Sequence, residues 1–263
     1  MVVGPLGQLK RRIIKDVGSK MLWKFERTME RHSHVSTEAV IDGSPFPWLG
    51  GLEQSATQIG LELDELLTHR AMLPAFHEIS PDQRSITSDD RWKAFFLHGF
   101  GHRSESNCAR CPQTARALAR IPGLVTAFFS ILSPGKHIPK HRGVYKGLLR
   151  VHLGLRVPAA AERCRMEIDG TTLHWKVGEA FVFDDTYQHE VWNDTDEERV
   201  VLIVDVFRPL PAPLALLNRA LVRAVAASPY VTDGVKNAHE WERRFEAYLA
   251  RMTATSARAD EAA

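Results

Sequence analysis

Between Leu124 and Phe207 the chain offers strand-like runs in close succession, with no helical periodicity between them. The runs cover 124–132, 147–157, 164–168, 171–176, 179–184, 188–193 and 199–207, each rich in apolar and β-branched residues. Asp169-Gly170 between two of them is a hairpin signal, and Gly178 marks a second turn. A parallel sheet needs long crossover connections, and these gaps are too short to hold them. The block therefore predicts an antiparallel sandwich or jelly roll.

The flanks read as helical. Pro209, Pro211 and Pro213 close the strand block, and Leu214–Ala227 and Ala238–Met252 follow as amphipathic helices, with the last ten residues expected to lack structure. Upstream, Asp42–Trp48 is turn-rich, and Leu52, Ile59, Leu63, Leu66 and Leu67 mark a helix. Residues 70–112 read as mostly irregular around the apolar run Trp92–Leu97, and 112–120 as a short helix. The resulting division is a basic amphipathic helix over 1–35, a helical and irregular lead-in over 36–120, the jelly-roll core over 121–210 and C-terminal helices over 211–263.

The net charge of +2 conceals an asymmetry. Residues 1–32 carry eight basic side chains and three acidic ones, so the rest of the chain is mildly acidic. Leu9, Ile13, Val17, Met21 and Phe25 recur every four residues within a basic helix over 8–31. Such a helix suits either an anionic membrane surface or a berth on its own domain. With 44% hydrophobic and 25% charged residues the chain is globular rather than disordered. It has no apolar run long enough to span a bilayer, no signal-peptide pattern at its start, and three cysteines, too few for a disulfide framework. The expected location is cytoplasmic, peripheral on the inner face of the membrane, with no nucleic-acid partner.

The polar residues within the strand block carry the chemistry. Arg150 and His152 share one face of a strand whose other face is Leu149, Val151, Leu153 and Leu155. That polar face meets either solvent or a pocket inside a barrel. His141 follows a Pro-Gly turn, His189 follows the run 180–184, and Arg199 opens a very apolar strand. A buried arginine there needs an anion.

Ser130–His141, Leu149–Leu155, Phe183–Trp192, Val204–Val206 and Arg208-Pro209 together resemble the aspartyl/asparaginyl β-hydroxylase family of Fe(II)- and 2-oxoglutarate-dependent dioxygenases. The resemblance covers roughly residues 85–210. It implies a mainly β fold, a double-stranded β-helix (jelly roll, cupin-like) with N- and C-terminal helices. It also implies Fe(II), 2-oxoglutarate and O2 as cofactor and cosubstrates. By that resemblance His141 and His189 are metal ligands, Ser130 and Arg199 bind the distal carboxylate of 2-oxoglutarate, and Arg150, His152 and Trp92 contact the cosubstrate. Asp185 then orients a water beside the metal. Gly143 stands where many such enzymes carry a third, carboxylate ligand. The peptide-hydroxylating branch of the family likewise manages with two histidines, whereas a halogenase is the formal alternative.

Phe128 and Leu148 stand where basic residues are expected in the peptide hydroxylases, and with Tyr145 they form a candidate acyl pocket; the other reading makes them core residues. Phe46-Pro-Trp48 and Asn107–Pro112 are similar to bacterial members that hydroxylate ornithine-lipid acyl chains. The favoured substrate is therefore a membrane-lipid acyl chain, ahead of an Asp or Asn side chain in a peptide or a free amino acid. The remoter alternative is a non-catalytic jelly-roll binding protein. Cys108-x-x-Cys111 reads as a structural turn or an adventitious disulfide rather than a zinc or redox site, Cys164 as a buried strand residue, and His137 as beside the metal ligands or on the surface.

Overall fold

The computed structural model describes residues 25–143 and 145–261. Eleven strands form two antiparallel sheets among these residues. They are β1 (Val40–Ile41), β2 (Trp92–Gly99), β3 (His102–Arg103), β4 (Leu124–Leu132), β5 (Lys136–His141), β6 (Leu148–Arg156), β7 (Cys164–Ile168), β8 (Thr171–His174), β9 (Ala180–Phe183), β10 (His189–Asn193) and β11 (Arg199–Phe207). The larger sheet runs β1-β9-β6-β11-β4-β2-β3 and the smaller β5-β10-β7-β8. From β4 onward the chain passes back and forth between the sheets, so that β4, β6, β9 and β11 lie in one and β5, β7, β8 and β10 in the other. This is the double-stranded β-helix, a jelly roll. Its β7–β8 hairpin turns on Asp169 and Gly170, both at positive φ, as the sequence pair predicts.

Helical residues 25–31 (α1) precede α2 (Leu49–Gln54), α3 (Ala56–Leu67), α4 (Phe76–Ile79), α5 (Glu105–Arg110) and α6 (Pro112–Ala119). After the sheets come α7 (Ala212–Ala226) and α8 (Pro229–Glu261). The α3, α6 and α8 helices cover one face of the larger sheet. There Ile59, Leu63, Leu118 and Phe245 pack with Phe129, Val151, Leu153, Leu202 and Val204. Between the sheets lies a second core of Trp92, Phe128, Phe183, Val201 and Ile203 against Ile138, Met166, Ile168 and Val191. Alternation along β11 sends successive residues to the two cores.

Three expectations change. Residues 70–112 are not mostly irregular. They contain β2, β3, α4 and α5, and β2 pairs with β4 along its length. Residues 92–95 are all buried, because the larger sheet is covered on both faces, so β2 lacks the alternation that marks a strand. Of the last ten residues, 254–261 are helical, since α8 runs to Glu261. The basic helix over 8–31 falls mostly outside the described residues. Of its described end, Met29 is fully buried, and Glu26 and Glu30 pair with Arg142 and Lys146, so that end is packed on the body. Among the described residues no helix is long and apolar enough to cross a membrane.

Candidate active site

β5 and β10 are neighbours in the smaller sheet, and their register sets His141 opposite His189. The rings lie 4.2 Å apart, tilted by 56°. Each Nδ1 is held by a carbonyl two residues upstream, His141 by Pro139 at 2.8 Å and His189 by Tyr187 at 2.9 Å. A carbonyl only accepts, so each Nδ1 carries the proton and each Nε2 keeps its lone pair. Burial and the neighbouring His141 push the His189 pKa down to about 3, and burial lowers His141 as well. Pro139 sits in β5 without cost because β5 is an edge strand. Two neutral imidazoles with fixed tautomers suit a divalent transition metal.

No third His, Cys, Asp or Glu among the described residues completes a ligand cluster. Gly143 explains part of this. A Cβ built there would fall inside the Asp185 carboxylate, and the Gly143 N–H donates to the Asp185 carbonyl at 2.6 Å. The Asp185 carboxylate thus fills the space that a third side-chain ligand would need. Burial raises its pKa to about 6 against the opposing pull of Arg150, whose Nη1 lies 3.2 Å away. Arg150 also clasps Asp205 across the β6–β11 pair, through Nε at 2.7 Å and Nη2 at 3.0 Å. Its guanidinium therefore lies between two carboxylates and holds Asp185 beside the histidines. A single Gly143→Asp exchange is accordingly expected to weaken divalent-metal binding by disrupting Asp185, whereas the Gly143→Asp/Asp185→Ala pair restores or exceeds it. Calorimetric Mn(II) titration reads both, and tighter binding by the single variant would contradict the steric account.

A second group of polar side chains, centred on Arg199, lies between the sheets. Arg199 is 2% exposed, and no carboxylate among the described residues pairs with it. Its Cζ lies over the Trp175 ring at 4.6 Å, Nη1 donates to the Ser130 carbonyl at 3.4 Å, and Nε has no partner. Burial lowers its pKa to about 10, which still leaves it charged at neutral pH. Ser130 lies in β4, beside β11, and its Oγ accepts from the Trp92 indole at 3.0 Å. That bond leaves the serine proton free to donate elsewhere. Trp92 thus serves this group through Ser130, braced by stacking on Phe76 at 4.3 Å.

His152 is buried in the same interior, while Arg150 on the same face of β6 keeps partial exposure. The Trp175 indole donates to the His152 Nδ1 at 3.3 Å, and the His152 Nε2 is buried without a partner. Because Nδ1 accepts, Nε2 carries the proton, an unused donor aimed away from Trp175. Burial, then Arg199, holds the His152 pKa well below 6.5. The unfolded chain therefore binds the extra proton, and this contribution to stability is present above pH 6.5 and lost as pH falls below it. Urea melts at stepped pH should show the loss, and His152→Gln should flatten the slope below that point. An unchanged slope would contradict the assignment.

The three candidate pocket residues are not brought together. Phe128 stacks on Phe96 at 4.6 Å within the inter-sheet core. Tyr145 and Leu148 pack with Val125, Phe207 and Val222 beneath α7. Cys108 and Cys111 are free thiols in the helical core, with Cys111 pushed up to about 12 by burial. Cys164 is buried in β7, and the His137 ring is exposed against Glu190 at 2.6 Å. Sequence reasoning missed Asp205, Trp175 and the buried Asp184–Arg208 pair. An acid within the apolar run 200–207 and a second acid beside Asp185 were the available signals.

The profile of the family described as aspartyl/asparaginyl beta-hydroxylase matches residues 53–209, a span that holds every polar residue of this site. The chain belongs to that family. Among relatives of the aspartyl/asparaginyl β-hydroxylases, the chain is 44% identical to the ornithine lipid ester-linked acyl 2-hydroxylase of Rhizobium tropici, over 82% of this chain and 77% of that protein. It is 33% identical to the human aspartyl/asparaginyl beta-hydroxylase over 51% of this chain, but spans 18% of the length of that relative. Among solved structures, the cupin domain of Schizosaccharomyces pombe Cnp3 aligns with 52% of this chain and 77% of its own, at 13% identity and a TM-score of 0.33.

Proposed function

We propose that this hydroxylase uses Fe(II), 2-oxoglutarate and O2 to hydroxylate an acyl chain of a membrane lipid beside its ester, with an ornithine lipid as the favoured substrate. The observation that carries the cosubstrate is Arg199, a buried guanidinium with no carboxylate partner among the described residues. Such a charge is costly unless an anion completes it. The similarity to the Rhizobium tropici lipid hydroxylase supports the choice of substrate.

In this reading His141 and His189 hold the metal. Arg199 and the Ser130 hydroxyl would hold the distal carboxylate of 2-oxoglutarate, with the unpartnered His152 Nε2–H as a further donor to it. When bound, the metal and cosubstrate supply the activation of O2. The protein holds both imidazoles neutral, keeps Asp185 in place through Arg150, and excludes water with the ring cluster of Phe76, Trp92, Phe96 and Phe128. We place the enzyme at the cytoplasmic face of the membrane that holds its lipid.

Expression in a host that makes ornithine lipids, followed by lipid mass spectrometry, tests the substrate. A lipid gaining one oxygen only with the intact gene supports the reading. Hydroxylated peptide or amino acid with unchanged lipids would replace it with the aspartyl/asparaginyl alternative. Anaerobic addition of Fe(II) and 2-oxoglutarate should give a visible charge-transfer band in the wild type that disappears in His141→Ala.

A further inference from the structure

An ordinary surface helix turns a polar face to water, and α7 turns a mostly apolar one. Asn218 and Val222 are buried beneath it, where the Asn218 amide donates to the Gly147 carbonyl at 2.7 Å and Val222 packs on Tyr145 and Val125. The opposite, exposed positions are Pro213, Leu216, Leu217, Ala220 and Ala224. Leu216 is 65% exposed and Leu217 37%. Residues 212–226 contain no acid, and the charged side chains there are Arg219 and Arg223, both exposed along one edge of the apolar strip. The α8 helix exposes Arg243, Arg244 and Glu246, and α3 exposes Thr57, Gln58, Asp64 and Glu65. Leu61 of α3 and Met252 of α8 are exposed singly among these polar neighbours, whereas Leu216 and Leu217 stand side by side on a helix face without acids.

We propose that α7 docks on the surface of an anionic phospholipid bilayer. Leu216 and Leu217 enter the headgroup–acyl boundary, and Arg219 and Arg223 pair with lipid phosphates. Charge decides against the other occupants. A two-fold dimer through this strip would bring the same arginines of two copies together. Residues 1–24 of the chain carry Lys10, Arg11, Arg12, Lys15, Lys20 and Lys24 against a single acid, Asp16, so they share the sign of the α7 edge.

The placement matters for the site. The inner face of α7 rests on Tyr145 and Gly147, which follow His141 closely in the chain. Tyr145 is four residues from His141, so the two backbones lie within roughly 15 Å. A lipid entering past α7 would need to leave the bilayer only by a short distance, because a carbon beside an acyl ester lies just below the headgroups. This inference rests on the lipid-substrate reading.

Sedimentation of the full-length protein with phosphatidylcholine vesicles, with and without phosphatidylglycerol, provides the test. The wild type should bind the phosphatidylglycerol vesicles. Leu216→Glu/Leu217→Glu and Arg219→Glu/Arg223→Glu should each weaken binding at least about tenfold while melting like the wild type. Unweakened binding by both variants, or no binding by the wild type, overturns the proposal. So does loss confined to a Lys10→Glu/Arg11→Glu/Arg12→Glu variant, or a wild-type dimer that Leu216→Glu splits. Turnover of lipid in detergent micelles separates the two readings. Variants that fail on vesicles but act on micelles support docking by α7 and leave the substrate intact. Vesicle binding with no lipid hydroxylated sinks the substrate reading and leaves the docking surface standing.

Discussion

An Arg199→Met variant is expected to be at least as stable as the wild type without ligand and to lose its affinity for 2-oxoglutarate. The two effects share one cause. Arg199 is buried between the sheets with the Trp175 ring, the Ser130 carbonyl and Cys164 around it, and no carboxylate offsets its desolvation. Replacing a buried ionic group by a packed apolar one of similar length is often neutral or stabilising by about 1–4 kcal/mol. The same exchange removes charge-assisted hydrogen bonds to an anionic ligand. A loss of about 3 kcal/mol would weaken binding by over a hundredfold. Urea denaturation of the metal-free protein reads the first effect, and anaerobic calorimetry on Mn(II)-loaded protein reads the second. A variant that is less stable and binds 2-oxoglutarate normally would show that Arg199 is a structural residue.

The opposite behaviour is expected at Asp184, where the buried charge is already paired. Asp184 and Arg208 are both wholly inaccessible, and the Arg208 Nη2 donates to the carboxylate at 2.5 Å. The remaining arginine donors reach the Lys146 carbonyl at 2.8 Å, the Ser33 hydroxyl at 3.2 Å and the Ser36 carbonyl at 3.3 Å. Asp184 also accepts from the Thr186 N–H and hydroxyl. The pair therefore ties the residues entering β1 to the end of β11 and to the segment after His141. Asp184→Ala leaves Arg208 buried and uncompensated, at a cost of about 3–5 kcal/mol. A single domain of ordinary stability would be close to unfolding at that cost. Asp184→Leu/Arg208→Met removes both charges and should recover most of the loss. A single variant within about 1 kcal/mol of the wild type would show that the arginine finds another anion.

How far each part was readable in advance follows from what covers it. Strands β4 and β6–β11 announce themselves by short apolar runs and by turns such as Asp169-Gly170, and all of them form close to the expected bounds. β2 does not, because the larger sheet buries it on both sides and only a run of apolar residues remains in the sequence. His141, His189, Ser130 and Arg199 could be singled out by motif. That His141 faces His189 depends on β5 pairing with β10, across residues 48 and more apart, and no local pattern encodes such a pairing.

The sequence by itself determined that this chain is a jelly-roll member of its family, and it named the histidines, serine and arginines from which a candidate site is proposed. Only the tertiary structure decided what those residues meet. A period of two assigns Arg150 and His152 to one face and Leu149 and Val151 to the other, but it is silent on which face a second sheet or a helix covers. The fold covers both faces at His152 and leaves Arg150 partly exposed. It leaves Arg199 without a carboxylate, leaves His152 with a spare donor, and sets the Asp185 carboxylate where a side chain at Gly143 would have been. Each of these is a matter of distance between segments far apart in the chain, and packing alone sets those distances.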